Sequence, residues 1–259
     1  MPLLSFPQGT IFYEHVQQFP DRPTLVFLHD SLGCVELWRD FPTFIAKKTH
    51  CNLLTYDRLG YGKSSPFVTE KRENNYMELE ADFLNELLEK LNIDNCILFG
   101  HSDGGTISLI AGAVYPEKIK AIFTEGAHIF VEEITLEGIR QAKETYRTTD
   151  LKRKLEKYHG DKTQALFDAW TETWLRPEFR DWNVEHFLPR INCPTFVFQG
   201  IDDEFGSIDQ VEGIEKGCQQ AKFFIIPDAK HTPHKEAREL TETIICHLIS
   251  ELSKTVSNL

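Results

Sequence analysis

Residues 100–105 read Gly-His-Ser-Asp-Gly-Gly, between a short apolar run at 95–99 and a helix-prone segment at 104–114. A G-x-S-x-G spacing between a strand and a helix forces a sharp, strained turn. That turn lifts the Ser102 hydroxyl clear of its neighbours, and small flanking residues let the adjoining backbone close in. A serine hydroxyl is a weak nucleophile, so it needs a base to take its proton and an acid to orient that base. Two later segments offer them: Gly200-Ile201-Asp202-Asp203-Glu204 and Pro227-Asp228-Ala229-Lys230-His231-Thr232-Pro233-His234. His231 is the expected base, with His234 its nearest competitor. Asp203 is the expected acid; Asp202, leaving the same run, and Glu125, ending the run near 121, are its rivals. The chemistry this predicts is attack of Ser102 on a carbonyl carbon.

The elements that must hold these groups are apolar runs alternating with helical segments. The runs at 24–29, 51–56, 95–99, 121–124, 195–198 and 222–226 are short and lack polar alternation, as suits strands buried on both faces of a parallel sheet. Ser102, Asp203 and His231 each follow one of them, at the sheet edge where ligands bind in open α/β sheets. Residues 76–91 set Tyr76, Leu79, Phe83, Leu84, Leu87, Leu88 and Leu91 on one helical stripe. Helices also fit 37–48, 104–114 and 236–253, and the first 20 residues suit an antiparallel hairpin at one sheet edge. No internal repeat appears.

The alternation breaks at 128–190, which is charged, helix-prone (136–146, 151–158, 163–174) and holds Trp170, Trp174 and Trp182. This predicts a core of 1–127 and 191–259 with a helical cap at 128–190 inserted after the sixth strand. Aromatic residues suit a largely apolar pocket with a few polar anchors, so Trp38, Phe130, Trp170 and Trp174 are candidate substrate-binding residues.

Other function classes fall away. With 40 Asp and Glu against 28 Lys and Arg, the net charge of −12 makes a poor nucleic-acid or anionic-membrane binder. No apolar run approaches the roughly 18–20 residues of a membrane span, and the first twelve residues lack a signal-peptide pattern. The six cysteines have no CxxC spacing, which predicts reduced thiols in a cytoplasmic protein. His and Cys show no metal-ligand spacing, and no phosphate-cradling or dinucleotide motif appears, so neither metal nor organic cofactor is expected. The expected partner is a small ester-like molecule; the oligomeric state is left open.

These residues resemble the α/β-hydrolase superfamily over essentially the whole chain. His29-Asp30-Ser31-Leu32-Gly33 is similar to its H-G-x-x-G loop, with Asp30 in place of the common glycine. Residues 56–64, Tyr-Asp-Arg-Leu-Gly-Tyr-Gly-Lys-Ser, resemble its D-x-x-G-x-G-x-S stretch. Ser102-Asp103-Gly104-Gly105, Glu125-Gly126-Ala127-His128, 188–194 and 230–234 together resemble the valacyclovir-hydrolase (biphenyl hydrolase-like) group, serine esterases acting on amino-acid esters. Glu204-Phe205-Gly206 departs from it where many relatives carry proline.

The resemblance implies an α/β-hydrolase fold and a Ser102–His231–Asp203 triad. It also implies an oxyanion hole made by the backbone N–H groups of Ser31 and Asp103. Small carboxylic esters are the implied substrates. Lactonase, thioesterase and C–C hydrolase chemistries share the fold, as do proteins that keep such a pocket only for binding. Ser102 argues against the aspartate-nucleophile relatives. The Asp103 carboxylate has two readings: a helix-start residue favoured by the helix dipole, or a pocket group that pairs with a substrate ammonium.

Overall fold

The apolar runs pair into a single eight-stranded sheet in a computed structural model that describes residues 2–69 and 71–256. The strands are β1 (Leu3–Phe6), β2 (Gly9–Val16), β3 (Thr24–Leu28), β4 (Asn52–Tyr56), β5 (Cys96–His101), β6 (Ile119–Glu125), β7 (Thr195–Gly200) and β8 (Ala221–Ile226). Their order is β1-β2-β4-β3-β5-β6-β7-β8. The N-terminal hairpin lies at one edge, and β2 pairs antiparallel with both β1 and β4. Every later pairing is parallel. Strands β3, β4, β5 and β7 are buried along their whole length. The run at 222–226 differs from expectation: β8 is the far edge strand, and Phe223 is 40% exposed.

Helices cover both faces, because each buried strand presents apolar side chains to each side. On one face lie α2 (Tyr76–Lys90) and α3 (Asp103–Val114), packed on Val26, Leu98 and Ile122. The buried stripe of α2 includes Met77 and Ala81, whereas Leu79 turns outward. On the other face α1 (Phe41–Thr49) and the C-terminal helix at 238–256 cover Phe27, Phe99, Phe123 and Phe198.

Between β6 and β7, over the segment expected to form a cap, lie α4 (Glu133–Thr148), α5 (Leu151–His159) and α6 (Thr163–Leu175), followed by short 3₁₀ turns to residue 190. The core resumes with β7, α7 (Ile208–Gly217) and β8, then the short α8 (Pro233–Glu236) and α9 (Arg238–Val256). The cap is tied down by specific bonds. His159 Nε2 donates to the Leu32 carbonyl at 3.0 Å, and its Nδ1 accepts from the Gly62 N–H at 3.0 Å. The Lys162 ammonium donates to the carbonyls of Tyr61, Gly62 and Ser64. The Trp174 indole donates to the Tyr76 hydroxyl on α2 at 3.1 Å. All six cysteines are unpaired. No described helix is long and apolar enough to cross a membrane.

Candidate active site

The turn between β5 and α3 places Ser102 at φ 53° and ψ −119°, a left-handed conformation that costs energy for any residue with a Cβ. The close approaches around it explain the flanking glycines. A Cβ on Gly100 would stand 2.0 Å from the Gly104 carbonyl oxygen, and one on Gly104 would stand 2.1 Å from that of Leu28. The Ser102 N–H donates to the Glu125 carbonyl at 2.8 Å, tying the turn to the end of β6.

The loops after β7 and β8 bring Asp203 and His231 together. His231 Nδ1 lies 2.9 Å from Asp203 Oδ1 and 3.0 Å from Oδ2, so the Nδ1 hydrogen is held by the carboxylate and Nε2 is left for a reacting group. Asp203 is fixed in turn by the N–H groups of Phe205 (2.9 Å) and Gly206 (3.3 Å). Asp202 points outward and is exposed. Burial works to lower the His231 pKa, but the Asp203 charge and hydrogen bond, helped by Asp30 and Glu204, outweigh it and hold it above the usual value. Burial works to raise the Asp203 pKa, and the His231 charge and hydrogen bond outweigh that and hold it low.

The two rival residues pair with each other. Glu125 Oε1 accepts the His234 N–H at 2.5 Å, and Oε2 is bonded to His234 Nδ1. Both side chains are almost wholly enclosed. His101, Glu125 and His234 have metal-ligating atoms within 4.8 Å of one another. Both Glu125 oxygens are taken by His234, and His101 Nε2 donates to the His231 carbonyl at 2.9 Å, so these bonds hold the loops, while His234 Nε2 is enclosed without a partner.

The β3 loop is braced from inside. Buried His29 accepts the Arg58 N–H on Nε2 (3.1 Å) and donates from Nδ1 to the Asp30 carbonyl (2.8 Å). Asp30, at the usual glycine position, accepts the Leu32 N–H at 3.3 Å. Ser31 and Asp103 both line the cavity described below. Asp103 is the first residue of α3, so its N–H has no intrahelical acceptor. Its carboxylate accepts from the Tyr76 hydroxyl at 3.2 Å and faces Arg58 Nη2 at 3.7 Å and Arg72 Nη1 at 4.0 Å.

A cavity of about 140 Å³ joins these groups, lined by Ser31, Ser102, Asp103, His128, Trp170, Trp174, Phe205 and His231 among others. An apolar cavity of about 150 Å³ accepts a molecule the size of benzene. Of the four aromatic candidates, Trp170 and Trp174 line this cavity. Trp38 and Phe130 do not. Trp38 belongs to the aromatic layer on the opposite sheet face, against Phe27, Phe99 and His234. Phe130 bridges to Asn183 at the base of the cap and packs toward α7. The sequence reading did not single out His128 or Phe205 as cavity residues. Their signal was position alone, since each lies a few residues beyond a strand end.

A family model described as alpha/beta hydrolase fold matches residues 23–184. Human serine hydrolase BPHL is 28% identical over 191 residues, covering 70% of this chain and 64% of that protein. The mouse protein is 26% identical, with 72% and 65% covered, so this chain spans under two thirds of either relative's length. A probable proline iminopeptidase of Leptolyngbya boryana is 33% identical, covering 86% of this chain and 85% of that protein. Among solved structures, one from work on carboxylesterases of the thaumarchaeon Nitrososphaera gargenis superposes with a TM-score of 0.79. It does so at 22% identity, over 98% of this chain and 100% of that chain, which is a likeness of fold. The family match covers more than half of the chain and includes the Ser102 turn, and the chain belongs to the α/β-hydrolase family.

Proposed function

We propose that the protein is a serine hydrolase that cleaves small, uncharged carboxylic esters through an acyl-enzyme. The observation that carries this reading is the Asp203–His231 pair, bonded at 2.9 and 3.0 Å, on the same cavity as Ser102. Ser102 Oγ attacks the ester carbonyl carbon while His231 Nε2 takes its proton, and Asp203 stabilises the resulting imidazolium. The N–H groups of Ser31 and Asp103 receive the oxyanion. His231 then protonates the leaving alcohol. Water, deprotonated by the same nitrogen, attacks the acyl carbon and releases the acid. The naming of the human relative as a serine hydrolase supports this assignment.

The preference for uncharged esters rests on Arg58 and Arg72. Their guanidinium groups already face the Asp103 carboxylate, at 3.7 and 4.0 Å, and offset the charge that a substrate ammonium would need. The α-amino ester reading keeps one observation in its favour, that Asp103 lines the cavity.

Fluorophosphonate labelling tests the mechanism. The wild-type protein should be labelled on Ser102, and Ser102→Ala should lose both the label and roughly 10⁴–10⁶ of its ester turnover. Wild-type-like turnover by purified Ser102→Ala would overturn it.

A further inference from the structure

Buried polar groups in folded proteins have partners, and one without them calls for a reason. His128 is such a group. It follows β6 in the loop 126–132, is 3% exposed, and lines the same cavity as Ser102 and His231. Its main chain is fully bonded: the N–H donates to Thr106 Oγ1 at 3.1 Å, and the carbonyl accepts from the Thr106 hydroxyl at 2.6 Å. Its ring is not. Nδ1 is enclosed without a partner, on the side of Gly206. No hydrogen bond to Nε2 occurs among the described residues either. An imidazole always carries at least one N–H, and when neutral it also offers one acceptor.

The ring is held where a substrate would pass. It stacks on the His231 ring, with centroids 5.9 Å apart and planes at 28°, and meets the Trp174 ring edge-on at 5.3 Å. The walls around it are Leu32, Ile139, Trp170, Trp174 and Phe205, which offer apolar surface. Apart from the Ser102, His231 and oxyanion groups, the polar neighbours on this cavity are two acidic residues and Thr135. Asp103 Oδ1 accepts from Tyr76 while its Oδ2 faces the two arginines at 3.7 and 4.0 Å without a hydrogen bond, Asp30 accepts the Leu32 N–H and faces His101, and the Thr135 hydroxyl donates to the Phe205 carbonyl at 2.6 Å. A pocket with apolar walls and few polar anchors takes its specificity from those anchors.

We propose that His128 is a substrate-binding residue that selects esters carrying a second, uncharged hydrogen-bonding oxygen close to the scissile carbonyl. This rests on the ester-hydrolase reading above and adds to it a substrate class, namely hydroxy, oxo or ring-oxygen esters over plain alkyl ones. A carboxylate in that place would find no charge to pair with: burial and the neighbouring His231 push the His128 pKa down to about 4, so the ring is neutral at ordinary pH.

The test uses two matched ester pairs of similar size. One pair places the hydroxyl in the acyl part (methyl 3-hydroxybutyrate against methyl butyrate). The other places it in the alcohol part (2-hydroxyethyl butyrate against propyl butyrate). Wild-type kcat/KM should favour the hydroxylated member of at least one pair by roughly 5- to 10-fold, the worth of one neutral hydrogen bond. His128→Phe keeps the ring stacking but removes both nitrogens, and should bring the two members of the favoured pair to equal kcat/KM. His128→Gln should retain part of it. The wild-type comparison needs no variant, so misfolding of His128→Phe does not protect the proposal. Equal rates within both pairs would overturn it while the ester-hydrolase reading stands. So would an undiminished preference in folded His128→Phe, or an equal loss of both members. No turnover of any ester together with no Ser102 labelling would overturn both readings.

Discussion

Glu125 accepts two hydrogen bonds from His234, one from its main-chain N–H at 2.5 Å and one from its imidazole Nδ1. The carboxylate that competes with Asp203 and the imidazole that competes with His231 are thereby each other's partner. They lie away from the cavity, next to Trp38 and Phe41 on the opposite sheet face. One acid–histidine pair faces the nucleophile, and a second, enclosed pair braces the loop that carries the first.

The second pair is predicted to matter for folding. Glu125→Gln replaces a carboxylate oxygen that accepts from His234 with an amide NH2, leaving one enclosed donor of His234 without an acceptor, which costs about 1–3 kcal/mol. Urea unfolding should show a loss of that order. Turnover per folded molecule, counted by active-site labelling, should stay near wild type. A crippled but fully stable Glu125→Gln would transfer the acid's role to this residue.

Asp203→Asn should cut kcat by roughly 10⁴, because the amide no longer holds the reactive tautomer of His231. Asp202→Asn, on an exposed side chain one residue away, should change little. Steady-state kinetics on both variants decides the point.

The acid limb of the rate profile should lie above pH 6.5. His231 must be unprotonated to act as base, and the Asp203 charge and hydrogen bond hold its pKa above that value against the effect of burial. kcat/KM for a soluble ester, measured from pH 5 to 9, should therefore already be falling as the pH drops through 7. Rates still flat at pH 6 would contradict a histidine held by Asp203.

Stability should also fall on acidification, through histidines other than His231. His29, His128 and His234 are enclosed, and burial, the largest influence on each, leaves their pKa values lowered in the folded protein. Between pH 6.5 and those lowered values the unfolded chain binds more protons, so the folding free energy falls as the pH falls. For His128 the window runs from 6.5 to about 4. His128→Phe should flatten the pH dependence of Tm across that window, and an unchanged slope would count against a neutral His128.

Arg72→Met should sharpen a latent preference. It removes one of the two cations facing Asp103 and leaves that carboxylate more exposed to a substrate ammonium. The ratio of kcat/KM for an α-amino ester over its deaminated analogue should rise relative to wild type. A ratio that does not move would show that Asp103 is insulated from the cavity by Arg58 and Tyr76 alone.

Much of this site was legible before any coordinates, for local reasons. The elbow is written in five consecutive residues, and the glycines at 100 and 104 stand where any Cβ would meet backbone. Asp203 and His231 each follow an apolar run, so strand ends alone brought them to one edge. What escaped depends on facing. An aromatic residue's type does not tell which side of the sheet it will cover, and the 3₁₀ turn Val35–Trp38 sends Trp38 to the far face. His128 faces the cavity because Gly126 turns the chain at φ 59° just before it. The helix α7 carries glycines at 213 and 217, packed tightly on Ile129 and Leu188, which blur its periodicity.

The bonds between cap and core bear on how this chain opens. Lys162 and His159 bind the main chain of residues 61, 62, 64 and 32, and Trp174 binds Tyr76 in the middle of the buried layer. Swinging the cap away as a rigid flap would strip partners from both sides at once. Amide protons of α6 should therefore exchange with solvent at rates matching those of α2 and α3, through shared cooperative openings rather than separate fraying. A substitution that loosens Lys162 should therefore loosen the core beneath it as well.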